Sequence, residues 1–363
     1  MSHRVVVASM LLALTAGACG ERAVEAPAPG PGKELPVSSD LAAKSETLRA
    51  VVARGRLNCG VDQELSGFSF RDNRGVWRGF SVDLCRAVAA AAVGDGNAVN
   101  FVPVTADNRI ELLRTGKIDL LTRSTSWTYS RDAGEGVDFA GIAYYDGQGF
   151  LARKSLNLQS ALELNGARVC VQSGSTSQNN LADYFRANGL NYTAVPAASN
   201  EKAREIYQTE GCDVLSADIS ALASARSVAS NPGQHVILPD VISKEPLALA
   251  VRQNDPAWKD LVHWTLNALI LAEELGVSSK NVGELAEDSP VPEVRRLLGV
   301  DAGYGAKIGL DDAFAFRAIQ AVGNYGEVFR RNVGVESPLR LERGLNALWN
   351  APQPGLLYAQ PFR

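Results

Sequence analysis

The sequence predicts an α/β protein of two similar lobes, each a mostly parallel sheet flanked by helices, with a ligand in the cleft between them. Three observations predict it. Strands and helices alternate along the chain, the pattern of parallel strands covered by helices. The alternation occurs twice, over residues 56–122 and again over residues 160–240. Finally, 363 residues, 46% hydrophobic and 21% charged, are enough for two cores of ordinary composition.

The chain begins differently. "MSHRVVVASMLLALTAGACG" has a basic start at Arg4, an apolar run from Val5 to Ala16, then small residues and Cys19. Residues 1–18 read as a secretory signal peptide. The end "AGAC" fits two readings. Either Cys19 is the lipid-bearing residue after a lipobox-like site, with Ala16 where leucine is usual, or Ala16 and Ala18 form an ordinary A-x-A cleavage site. Residues 19–48 follow as a flexible leader or tether, because their Pro, Gly and Ala content cannot bury a core.

In the first unit, "RLNCGVD" (Arg56 to Asp62) is a strand and "VDLCRAVAAAA" a helix with Leu84, Val88, Ala91 and Ala92 on one face. "VNFVPVT" is a strand. Asp107 is placed to cap the helix "NRIELLRTG", which Gly116 ends, and "KIDLLT" is the next strand. The second unit repeats this. "SALE" is a capping box at Ser160 to Glu163, "ARVCVQ" a strand, and "SGSTSQNNLADYFRANG" a loop entering a helix with Leu181 and Phe185 one turn apart. "NYTAVPA", "EKAREIYQTEG", "CDVLSA" and "DISALASARSVASNP" alternate strand and helix, and "HVILPD" is the final strand.

The chain is expected to cross between lobes near Gly147 and to return near Glu245 and Pro246. Lobe one is then residues 49–147 plus 244–290, and lobe two is 148–243. Asp255 and Pro256 start a long helix packed on lobe one, and residues 291–363 form a C-terminal extension packed there too.

A net charge of −4 argues against nucleic acid as a partner. No internal stretch has the roughly 18 apolar residues of a membrane span, and no G-x-x-x-x-G-K-[ST] loop is present for a nucleotide. Export places the cysteines in an oxidising compartment. Without Cys19 four remain, Cys59, Cys85, Cys170 and Cys212, which allow three connectivities. The local pairs Cys59–Cys85 and Cys170–Cys212 are favoured. Zinc is a poor alternative, with no C-x-x-C and only His3, His235 and His263.

Ligands bind at the carboxyl ends of strands in such folds. After "KIDLLT" come Ser124, Thr125, Ser126, Thr128 and Ser130, short donors just ahead of one cation, Arg131. "SGSTS" lies between a strand and a helix, a natural anion cradle. Asp218 follows "CDVLSA". Donors and a cation suit a carboxylate, and Asp218 suits an ammonium. A ligand with both on one carbon is an α-amino acid. Each residue also has an ordinary reading: Arg131 paired to Asp132 or Asp138, the serines satisfying turn backbone, Asp218 capping a helix, and Trp127, Tyr144 and Tyr145 in core or hinge packing.

The runs "GFSVDLCRAVA", the hydroxyl run ending at Arg131, "VDFAGIAYYDGQGF", "VQSGSTS" and "SADISAL" resemble, in order, the polar amino acid family of periplasmic solute-binding proteins of ABC transporters. "LADYFRANG", "HVILPDVISKEPL", "AVGNYGEVFRRNVG" and "RGLNALW" resemble its general L-amino-acid-binding branch, which carries the likeness almost to the C-terminus. The resemblance implies the two-lobed periplasmic-binding-protein fold, no cofactor, no catalysis, and capture of L-amino acids of many kinds by lobe closure for a membrane permease and its ATPase. It implies that Arg131 holds the ligand carboxylate, with Ser126, Ser124, Ser175 and Thr176 adding donors, and that Asp218 accepts from the ammonium. Asp62, Leu65 and Phe68 match the loop that meets the ligand side chain. Leu65 stands where several members have an aromatic, which implies a roomier pocket. Two alternatives remain: a periplasmic enzyme of the same fold resembling cyclohexadienyl dehydratase, with Glu135 or Asp138 as acid, and a sensory ligand carrier.

Overall fold

The computed structural model describes residues 45–363. The expected signal peptide, Cys19 and nearly all of the expected leader lie outside the described residues. Helix α1 (Glu46–Arg54) opens them, its first turn falling within the stretch expected to be leader. The Ser45 side chain caps it, and Gly55 ends it in the left-handed region at φ 69°. The Ser45 hydroxyl and Thr47 N both donate to the Asp255 carboxylate at 3.0 Å, which ties α1 to the body.

In chain order there follow β1 (Leu57–Val61), β2 (Phe70–Arg71), β3 (Trp77–Arg78), α2 (Phe80–Val93), β4 (Val99–Pro103), α3 (Arg109–Arg114), β5 (Leu120–Leu121), α4 (Tyr129–Gly134) and β6 (Val137–Asp146). The middle of the chain supplies β7 (Gln148–Arg153), β8 (Ala167–Gln172), α5 (Thr176–Ala187), β9 (Tyr192–Ala197), α6 (Asn200–Gln208), β10 (Val214–Asp218), α7 (Ile219–Ser227) and β11 (His235–Ile237). Last come β12 (Glu245–Arg252), α8 (Pro256–Glu274), α9 (Val282–Asp288), α10 (Pro292–Leu297), α11 (Phe314–Val322) and α12 (Tyr325–Asn332).

Two five-stranded sheets result, ordered β4–β1–β5–β12–β6 and β11–β7–β10–β8–β9. Each is evenly mixed rather than mostly parallel. In the first, β1 pairs parallel with β4 and β5, while β12 runs antiparallel to β5 and β6. In the second, β8 pairs parallel with β9 and β10, while β7 runs antiparallel to β10 and β11. The antiparallel strands are those next to the crossings, where the chain leaves one sheet and re-enters it from the other side. β6 and β7 belong to different sheets with Gly147 between them, and β11 and β12 make the return. A Cβ on Gly147 would lie 2.4 Å from Val241 Cγ1, so glycine lets the two crossing segments touch.

One helix cap differs from expectation. The residue before α3 is Asn108 rather than Asp107, and it makes no side-chain cap; its Oδ1 accepts from Thr105 N at 2.8 Å. The expected capping box at Ser160 and Glu163 is present.

The disulfides are Cys59–Cys85, joining β1 to α2, and Cys170–Cys212, joining β8 to the turn before β10, with Cα separations of 6.1 and 5.8 Å. Each stays within one lobe. The residues after 290 lie on the first lobe. Arg317 donates to the Ala90 and Ala91 carbonyls of α2, Arg331 pairs with Asp83 at 2.7 Å, and the Tyr325 hydroxyl donates to Ala143 O at 2.8 Å. Tyr144 and Phe329 stack at 6.0 Å, adding the extension's aromatics to the lobe-one core.

Candidate functional site

The hydroxyl run is held rigidly from both sides. Thr122 N and Arg123 N donate to Gly60 O, Trp127 N donates to Pro246 O at 2.9 Å, and Ala248 N donates to Thr125 O at 3.0 Å. The Thr128 side chain then caps α4 by accepting from Arg131 N. This short helix turns Arg131 back over the run, where its Nη1 donates to Ser126 O at 2.9 Å. Arg131 is 7% exposed. Among the described residues no carboxylate lies within ion-pair distance of it, Asp132 and Asp138 included. Burial lowers its pKa, while Glu135 and Glu245 pull the other way.

A narrow cleft lies between the lobes. Lobe one lines it with Asp62, Leu65, Arg109, Arg123, Ser124, Ser126 and Arg131. Lobe two lines it with Gln172, Ser175, Thr176, Ser177, Asn200, Ala217, Asp218 and Ala221. The space left between the two linings is small, about 30 Å³, so a ligand enters when the lobes part. Every residue predicted to touch the ligand is at this lining except one. Phe68 is 1% exposed and packs edge-on against Tyr144 at 5.5 Å and tilted against Phe80 at 6.0 Å. It belongs to the aromatic core behind the cleft, while Leu65 of the same loop reaches the cleft lining.

Two cationic cleft residues were not expected. Arg109, the first residue of α3, is 4% exposed, and its Nε is a buried donor without a hydrogen-bond partner. Burial and the neighbouring Arg123 and Arg131 hold its pKa well below the usual guanidinium range. Arg123 follows β5 and pairs with Asp62 at 3.0 Å, an ion pair whose Nε is not aligned for a hydrogen bond. Its Nη2 reaches across the cleft to Gln172 Oε1 at 3.5 Å. The strand-end rule that selected Ser124 would also have selected Arg123, the residue before it. Arg109 carried no such signal, since "NRIELLRTG" reads as an ordinary helix with surface charge.

Asp218 ends β10 and precedes α7, yet makes no side-chain cap. Ser220 N instead donates to Asp146 Oδ2 at 3.2 Å. Asp218 therefore keeps its carboxylate for the cleft. Burial, with Asp146, Glu245 and Asp62 nearby, raises its pKa well above the carboxylate range. Burial also pushes Asp146 up to about 6, against hydrogen bonds from Ser220 and Gly147. Ser175 caps α5, and its hydroxyl donates to Gln172 O at 2.6 Å. The hydroxyls of Ser126 and Thr176 both donate to Glu245.

The arrangement is bipolar. Arg131, Arg123 and Arg109 come from lobe one and Asp218 from lobe two, and both sets face one small enclosed space. Glu135 and Asp138 are absent from the lining.

Comparison with known proteins gives the family and the fold. Residues 57–281 match the family described as bacterial extracellular solute-binding proteins, family 3. The chain is 48% identical over 322 residues to the glutamate/glutamine/aspartate/asparagine-binding protein BztA of Rhodobacter capsulatus, covering 89% of this chain and 95% of that one. It is also 48% identical to the general L-amino acid-binding periplasmic protein AapJ of Rhizobium johnstonii, covering 89% of this chain and 94% of that one. Among solved structures it is similar to an ABC transporter periplasmic binding protein from Brucella ovis with glutathione bound, at a TM-score of 0.85 and 47% identity, over 88% of this chain and 100% of that one.

Proposed function

Since the chain belongs to the bacterial extracellular solute-binding proteins, family 3, we propose that it captures L-amino acids between its lobes in the periplasm and delivers them to an ABC importer. One observation carries the reading. A buried arginine without an ion-pair partner and a half-buried aspartate that does not cap its helix face one cleft from opposite lobes. In this reading Arg131 binds the α-carboxylate bidentately, with backbone N–H groups around Ser126 and Thr176. Asp218 accepts from the α-ammonium. The groups from the two lobes meet the ligand together only when the lobes are closed, so the ligand selects the closed state.

Arg109 and Arg123 add cationic donors beyond those an α-carboxylate uses. They suit a second anionic or amide group, in keeping with the glutamate, glutamine, aspartate and asparagine in the name of the Rhodobacter relative. Leu65 offers a flat apolar wall to other side chains, and a second small cavity adjoins it, sharing Asp62, Leu65, Arg123, Gln172 and Asn200. Broad L-amino-acid binding follows, with acidic and amide side chains held best. Export through residues 1–18, and anchoring through Cys19 if it is lipidated, place the protein beside a permease and ATPase. Neither acid of the enzyme alternative reaches the cleft lining.

The deciding experiment is a calorimetric screen of the twenty L-amino acids with D-enantiomers as controls. Binding of several L-amino acids, strongest for acidic and amide side chains, supports the reading. A single tight ligand with the other nineteen inert refutes the broad specificity, and no binding at all refutes the function.

A further inference from the structure

We infer that Glu245 is a clasp that bridges the two lobes and favours their closed arrangement. Its side chain is buried, with the residue 1% exposed. One oxygen, Oε2, accepts from the Ser126 hydroxyl of lobe one and from Thr176 Oγ1 of lobe two at 3.0 Å. The other, Oε1, accepts from Asn180 Nδ2 of lobe two at 2.7 Å and from Ser243 Oγ of the return crossing at 2.7 Å. Four donors meet the roughly four lone-pair directions of a carboxylate. Hydrogen bonds to an ionised acceptor are stronger than neutral ones.

Position makes this a clasp rather than a local brace. Glu245 opens β12 and lies opposite Asp146 in the first sheet, so it moves with lobe one. Thr176 and Asn180 stand four residues apart on α5, on one face of that helix. Lobe opening therefore draws both donors away from a buried carboxylate. Glu245 is absent from the cleft lining, so it acts on the site through other residues and is a positioning residue.

A second consequence rests on the proposed amino-acid ligand. Ser126 and Thr176 each spend their one hydroxyl hydrogen on Glu245. Toward the cleft they present lone pairs, which accept from an ammonium and cannot donate to a carboxylate. Carboxylate recognition is left to Arg131 and backbone N–H groups.

The test is small-angle scattering of the full chain with both disulfides intact, with and without ligand. The parent is compared with Glu245→Ala and with Asn180→Ala, a half-buried helix residue whose loss leaves the core untouched. Both ligand-free variants are expected to show a larger radius of gyration than the ligand-free parent. With saturating ligand all three are expected to superpose. Affinities for L-glutamate and L-leucine fall by the same factor, about tenfold for Asn180→Ala, the worth of one charged hydrogen bond. If Glu245→Ala does not fold, Asn180→Ala decides alone. Ligand-free variants that scatter like the ligand-free parent overturn the clasp, whatever the affinities do. Failure to bind any amino acid overturns the proposed function and leaves the ligand-free comparison intact.

Discussion

Replacing Arg131 by alanine separates binding from folding more cleanly than any other change in this protein. The guanidinium is buried without an ion-pair partner, and its resolved hydrogen bonds are to Ser126 O by the side chain and to the Thr128 cap by the backbone N–H. The cap survives the substitution. Removing a desolvated, unpaired charge relieves a cost, which offsets the lost hydrogen bond, so the ligand-free melting temperature is expected to hold or rise. Binding behaves oppositely. In the closed cleft the ligand carboxylate is cut off from water, and the Ser126 and Thr176 hydroxyls already donate to Glu245. Losing one partner of a buried charge pair costs about 2 to 5 kcal/mol, or roughly thirty-fold to a few thousand-fold in affinity. Arg131→Lys is expected to bind poorly too, because an ammonium cannot match both carboxylate oxygens. The assay is titration calorimetry with L-glutamate and L-leucine beside thermal melts. If Arg131→Ala binds both ligands within a few-fold of the parent, the hydroxyl run is an ordinary turn and the site assignment is wrong.

Other expectations follow from the same geometry. Arg109→Gln is expected to weaken L-glutamate by about tenfold or more and to leave L-leucine within a few-fold; equal losses for both would refute a side-chain role. Asp218→Asn weakens every ligand, because the ammonium loses its facing anion. Ligand binding is expected to release protons, since an arriving ammonium favours ionisation of an aspartate whose pKa burial has raised; calorimetry in buffers of different ionisation enthalpy reads this, and Asp218→Asn should reduce it. Asp146 holds its proton in the folded state up to about 6, against an ordinary 3.8. Its contribution to stability is therefore present below about pH 3.8 and is lost as pH rises towards 6, and Asp146→Asn is expected to flatten that slope in ligand-free denaturant melts. Reducing the two disulfides is expected to cost about 2 to 4 kcal/mol each in the same melts, while leaving amino-acid affinity at 25 °C unchanged.

Local signals in the sequence determined the alternation of strands and helices, the hydroxyl run at a strand end, Arg131 after it, and Asp218 after β10. These are legible because caps, periodicity and strand ends are set by neighbours a few residues apart. The tertiary structure decided what depends on distant partners. Phe68 lies in the core, where it packs with Phe80 and Tyr144, and Tyr144 stacks on Phe329 of the extension. Arg109 became a cleft residue because packing of α3 turned its first residue inward, and nothing in its own helix required that. The antiparallel strands beside the crossings follow from how the chain re-enters a sheet, which hydrophobic pattern does not encode. The directions of the Ser126 and Thr176 hydroxyls were set by Glu245, 119 and 69 residues away in the chain. A hydroxyl carries no fixed direction in sequence; it acquires one only when folding brings a buried acceptor within reach.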